Sequence, residues 1–179
     1  GWGLDVVFGL AFIRLIVPDV PPRGAPQALL TVIFIGALSG GITALAAAAI
    51  GRAKTWKAPI GARLALGGSA VGLTALALLF VAAPEAAFGP GGGAILWAER
   101  QPETRPMTLL AVAALRAVAT TGAAAAGGCG GIFVPFLAVG DLAGRVFAPG
   151  LGVGPDLAGA AGAAGGISGG YRLPFTATV

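Results

Sequence analysis

Long apolar stretches, parted by short runs of charge, proline or glycine, organise this chain. Trp2 to Val17 is apolar apart from Asp5 and Arg14 and reads as the end of a spanning or interfacial helix. Pro18-Asp19-Val20-Pro21-Pro22-Arg23-Gly24 is a turn, because its prolines forbid helix. Ala25 to Ile50 has no charge and is long enough to span a hydrocarbon core of roughly 30 Å. Leu64 to Ala83 makes a second span, and Met107 to Ala126 a third that only Arg116 interrupts. A further helix is expected from about Ile132 to Phe147, then a turn over Pro149 to Pro155. The alanine and glycine run from Leu157 to Gly170 predicts a buried helix, and Tyr171-Arg172-Leu173-Pro174-Phe175 the start of another.

The polar connections carry the charge. Arg52, Lys54, Lys57 and Arg63 form a basic loop, which reads as an interfacial anchor. Pro84 to Pro106 is a polar connection with Gly89-Pro90-Gly91-Gly92-Gly93 and all three glutamates, Glu85, Glu99 and Glu103, which read as solvated loop charges. Two charges fall inside apolar helices. Arg116 either holds a paired or functional place, as intramembrane arginines do, or snorkels to an interface. Asp141 and Arg145 stand four residues apart and can pair on one helix face. Small residues at helical spacing (Gly36, Ser39, Gly40 and Thr43; Gly67, Gly68, Ser69 and Gly72) predict close helix packing.

Composition places these segments in a membrane. The chain is 56% hydrophobic and 10% charged, with a mean hydropathy of +0.91, where a soluble domain carries about 25% charged residues. The formal charge of +4 lies in loops and reads as membrane-flanking arginine and lysine, so no nucleic-acid partner is expected. One cysteine and no histidine exclude a disulfide framework and a histidine-based metal site within the sequence. It opens at Gly1 and closes in an apolar run, and reads as a fragment of a longer chain. The fold class expected is all-α: a polytopic membrane helix bundle with discontinuous helices.

Gly127-Gly128-Cys129-Gly130-Gly131-Ile132-Phe133-Val134-Pro135 is where chemistry is expected. A glycine-rich break this deep in apolar sequence leaves backbone amides that are costly to strand in lipid. Proline is tolerated in a first helical turn, and the free N–H groups before it, with the positive end of the helix dipole, can hold an anion. The plainer reading is a helix break that binds nothing. No basic side chain occurs between Ala117 and Gly144, so binding would come from main-chain dipoles. Such a site holds an ion loosely enough to release it. Cys129 fits as a small residue in a crowded turn, with thiol reactivity the other possibility.

Gly130-Gly131-Ile132-Phe133-Val134-Pro135 resembles the second-half signature, Gly-x-Phe-x-Pro, of the CLC family of chloride channels and chloride/proton antiporters. Leu115-Arg116-Ala117-Val118-Ala119-Thr120-Thr121 resembles the family's preceding helix. Pro135-Phe136-Leu137-Ala138-Val139-Gly140 with Gly144 resembles the helix the motif opens, and Ala160 to Thr176 the block after it. The likeness covers roughly Gln27 to Val179, with 1–26 as the end of a preceding helix and a linker.

The resemblance implies part of an inverted-repeat transporter fold and a homodimer in the lipid bilayer, each subunit with its own anion pathway. The expected place is a bacterial inner membrane, multi-pass. It implies chloride or a similar monovalent anion as transported ligand, no other cofactor and no enzymatic activity. The backbone amides of Ile132 and Phe133 would bind the anion, with Gly131, Val134 and Pro135 shaping the helix start. The family's gating glutamate, pore serine and pore tyrosine match no residue here, and Tyr171 does not stand in for the last. Phe8, Gly9 or Leu10 falls where many antiporters carry an internal glutamate, and no glutamate precedes Glu85. Channel and antiporter both remain open. A rival from another class is an intramembrane serine protease, because Gly166-Ile167-Ser168-Gly169 resembles the nucleophile motif of rhomboids. Ser168 would need a histidine base, and the sequence has none.

Overall fold

The computed structural model describes residues 25–128 and 130–171. The expectations for 1–24, for Cys129 and for 172–179 lie outside the described residues. Within them every regular element is helical: α1 (Ala25–Lys54), α2 (Ile60–Val81), α3 (Pro84–Ala87), α4 (Gly92–Arg100), α5 (Pro106–Ala125), α6 (Phe133–Leu151) and α7 (Pro155–Tyr171). Four of these, α1, α2, α5 and α6, are long and apolar enough to cross a membrane. The 30 residues of α1, at about 1.5 Å each, outreach the apolar layer. The all-α membrane bundle with interrupted helices is therefore what the chain forms.

Glycine sets how the bundle closes. On α7, Gly162 and Gly166 face α6, where a side-chain carbon on Gly140 or Gly144 would collide with the α7 backbone. The neighbouring face of α7 carries Gly165 and Gly169, whose side-chain positions are filled by the carbonyls of Gly36 and Gly40 on α1. Each of these pairs is four residues apart, so small residues stack along one face of each helix and the backbones touch. Ser39 and Thr43, which flank the α1 contact, are fully buried. The second expected seam is only partly used. Gly67 meets Gly122 and Ala126 of α5, whereas Gly68 and Gly72 have open space at the side-chain position.

A charged cluster ties α4, α6 and α7 together. Arg145 Nε donates to Asp141 Oδ2 at 2.8 Å and its Nη1 to Asp156 Oδ1 at 2.9 Å, and Glu99 Oε1 lies 3.8 Å from Nη2. The expected Asp141–Arg145 pair forms, and the Arg145 side chain is only 3% exposed. Gly159 makes room for it: a side-chain carbon there would stand 2.5 Å from Asp141 Oδ1 and 2.9 Å from Arg145 Nε.

Four expectations change. The Pro84–Pro106 connection folds into α3 and α4, because Ala94, Trp97 and Ala98 bury one face in the cluster of Leu78, Val112 and Leu142. Glu99 is accordingly not a solvated loop charge but a member of the Arg145 cluster, with its side chain 21% exposed. The turn expected at Pro149 begins later. The helix runs through Pro149 to Leu151 and stops at Gly152, which adopts the left-handed conformation with φ 63°. Tyr171 lies within α7, one residue past the expected end of that helix at Gly170.

Replacing Gly162 by valine is expected to destabilise the protein by about 1–3 kcal/mol or more, because backbone blocks the new side chain. The drop shows as a lower melting temperature in detergent, and Gly68→Ala, facing open space, should melt like the wild type. Arg145→Met leaves buried carboxylates unpaired and should lose about 3–5 kcal/mol by the same assay.

Candidate functional site

The glycine run does two jobs, divided between its halves. Helix α5 ends in a Schellman-type closure. Gly128 N–H donates to Ala123 O at 2.8 Å and Gly127 N–H to Ala124 O at 3.2 Å, with Gly127 at φ 93°. That conformation favours glycine. Arg63 Nε adds a bond to Ala125 O at 2.9 Å. The amides of Gly127 and Gly128 are thus spent on the preceding helix. The amides that follow are not: among the described residues, no N–H from Gly130 to Val134 donates to an acceptor.

Helix α6 starts in a way that keeps those groups open. Ile132 is the N-cap, with φ −95° and ψ 1° and no side-chain bond to the first turn. Serine, threonine, aspartate or asparagine would normally occupy this position and consume an amide. Pro135 lies in the first turn, where its missing N–H breaks no helical bond. The first regular bond of the turn is Phe136 N–H to Ile132 O at 3.1 Å.

In front of the break lies a cavity of about 460 Å³. Gly128, Gly130, Gly131, Ile132 and Pro135 form one wall, and Ala119, Thr120 and Ala123 of α5 another. The Phe88-Gly89-Pro90 loop, Val71, Gly72 and Ala75 of α2, and the far end of α1 at Lys54 also line it. Among the described residues, Lys54 and Arg116 are the charged ones that line it, and no carboxylate does. Of the five expected site residues, then, Gly131, Ile132 and Pro135 border one cavity, whereas Phe133 and Val134 do not line it. The Phe133 ring is 48% exposed and lies tilted at 6.3 Å from the ring of Tyr171, which also meets Phe136 edge-on at 5.6 Å.

Arg116 resolves in favour of a held position. It is 5% exposed, and its guanidinium turns back onto the loop after α3. Nη2 donates to Gly89 O at 2.6 Å, and Nη1 to Ala87 O at 3.3 Å and Ala86 O at 3.5 Å. The loop is pinned from its other side by Gly91, at φ 131°, where a side-chain carbon would stand 2.8 Å from Ala138 Cβ on α6. Sequence reasoning missed Lys54, taken as a loop anchor, and the Gly89-Pro90 wall. A mid-span arginine and a glycine cluster were the signals available for the latter, and their meeting depends on the crossing of α5 and the short helices.

Ser168 sits within α7, half-buried. Its hydroxyl bonds to no described residue, and no acid–base partner is placed beside it.

A multi-pass helical membrane protein with a broken helix opening on a carboxylate-free cavity is the class that fold and site define. Consistent with this, the chain matches the family model described as Voltage gated chloride channel over residues 3–179, and it belongs to that family. Its activity at this level is anion transport across a membrane. No curated protein and no solved structure matches it.

Gly91→Ala should lower thermal stability by about 1–3 kcal/mol, from a disfavoured backbone conformation and contact with Ala138. Gly92→Ala, with open space at its side-chain position, should leave the melting curve in place.

Proposed function

We propose that the amides of Ile132 and Phe133 hold chloride, or a similar monovalent anion, on its way through the protein. Gly131 lets the backbone approach the ion, and Val134 and Pro135 set the helix start. The observation that carries this reading is the run of amides from Gly130 to Val134 without a described acceptor, at the N-terminus of α6 and beside the cavity. An amide in apolar surroundings needs a partner, and the dipole of α6 favours a negative one. Main-chain groups carry partial charge only, so the ion can leave as well as enter.

This binding step serves a channel and a chloride/proton antiporter alike. The working unit we propose is a homodimer in the lipid bilayer, placed in a bacterial inner membrane, and the family resemblance supports the dimer. No cofactor beyond the transported anion belongs to this reading.

Phe133→Pro removes one of the two amides. One hydrogen bond to a charged group is worth about 1.5–3 kcal/mol, so chloride affinity in calorimetry should fall by about 10- to 100-fold. Chloride efflux from proteoliposomes should fall with it. Unchanged binding in a variant that elutes as folded protein would sink the assignment. A pH electrode in the same vesicles separates the mechanisms, since an antiporter drives protons uphill with chloride and a channel does not.

A further inference from the structure

The bundle buries two arginines, and it treats them in opposite ways. Arg145 is surrounded by Asp141, Asp156 and Glu99, so its charge is neutralised within the protein. Arg116 is buried to the same degree and has no ion pair among the described residues. Its bonds all go to carbonyl oxygens, and its Nε has no partner there. A guanidinium cannot escape by losing its proton, and a buried charge without a counter-charge is strongly unfavourable. Carbonyl dipoles soften that penalty without cancelling the charge.

The missing negative charge has a place to sit. Arg116 lines the cavity that also borders Gly131 and Ile132, and no carboxylate of the described residues enters it. The other cation on its wall, Lys54, is exposed, where water and salt screen it. We infer that the anion resting in this cavity is the counter-ion of Arg116, and that Arg116 sets how tightly the anion is held; this deepens the amide-site reading and rests on it. The two terminal nitrogens are tied to Gly89, Ala87 and Ala86, which holds the guanidinium against the loop wall. Arg116 acts on the anion through its field. The anion therefore gains affinity without a direct salt bridge to break on departure, and the same bonds hold the loop that walls the cavity.

The charge and the positioning of Arg116 are separable by substitution. In the full-length protein, Arg116→Gln removes the charge, and Arg116→Lys keeps it while losing the planar fork. Chloride calorimetry is expected to show a loss of about tenfold or more for Arg116→Gln, with Arg116→Lys within about threefold of wild type. A merely structural Arg116 would lower the melting temperature of both variants and leave the chloride affinity of the folded protein alone. Wild-type affinity in Arg116→Gln, or an equal loss in the two variants, overturns the inference. Should Arg116→Gln not fold, Thr120→Asp decides. Thr120 is one turn along α5 on the same cavity wall, and a carboxylate there supplies an internal counter-ion. It should weaken chloride binding to a similar extent, and unchanged affinity again overturns the inference. Phe133→Pro runs alongside. Where it loses affinity and the α5 variants do not, only the role of Arg116 falls; where none of them changes, the amide site falls as well.

Discussion

A backbone amide or carbonyl surrounded by hydrocarbon must find a partner inside the protein, and the ends of two helices show how this bundle meets that demand. The carbonyls at the end of α5 are taken by the amides of Gly127 and Gly128 and by Arg63. Those at the end of the short helix α3 are taken by Arg116. Helix α6, with an isoleucine as its N-cap, has no such provision for its first amides. A run of amides left over beside a cavity reads as a place for a ligand to complete the accounting.

Close packing makes that gap possible. Helices built from large side chains stand 8–10 Å apart, whereas α1, α6 and α7 approach until glycine backbone meets glycine backbone. The α6–α7 contact fixes where α6 begins, because Gly140 lies only two turns after the break and is locked against Gly162 and Gly166. Phe136, buried against Tyr171 and beside Gly170, secures the turn between them. Glycine therefore serves opposed ends in neighbouring stretches. Along α7 it brings backbones together and satisfies packing, and at Gly130 and Gly131 it opens the chain, with N–H groups that meet no described acceptor.

Charge is distributed with the same economy. Three carboxylates gather around Arg145 at the junction of α4, α6 and α7, and among the described residues none pairs with Arg116 or lines the cavity. The first arrangement fastens elements that carry little apolar surface of their own, since α7 is almost wholly alanine and glycine. The second leaves a positive potential in a pocket walled by apolar groups, where a field is weakly screened. Structural and functional electrostatics thus occupy different faces of one bundle.

Much of this was legible in the residues. Charge-free stretches of twenty or more residues specify crossing helices because no other structure satisfies the backbone in lipid, and α1, α2 and α5 lie where those stretches predict. The break before Pro135 was legible for a related reason, since glycine flanks and an early proline suit a helix start. The Asp141–Arg145 pair was legible because four residues make one helical turn. Short-range periodicity could not reveal that α4 folds into the core, that Glu99 and Asp156 converge on Arg145, or that Pro149 stays inside a helix. Nor could it show that Gly127 and Gly128 serve α5 while later amides stay free, or that Lys54 and Arg116 share a cavity. By itself the sequence determined the solvent, the helices and the one irregular stretch, because each follows from local polarity. Only the tertiary structure decided which groups meet across helices, because that depends on crossing positions set by backbone-to-backbone contact between residues far apart in the chain.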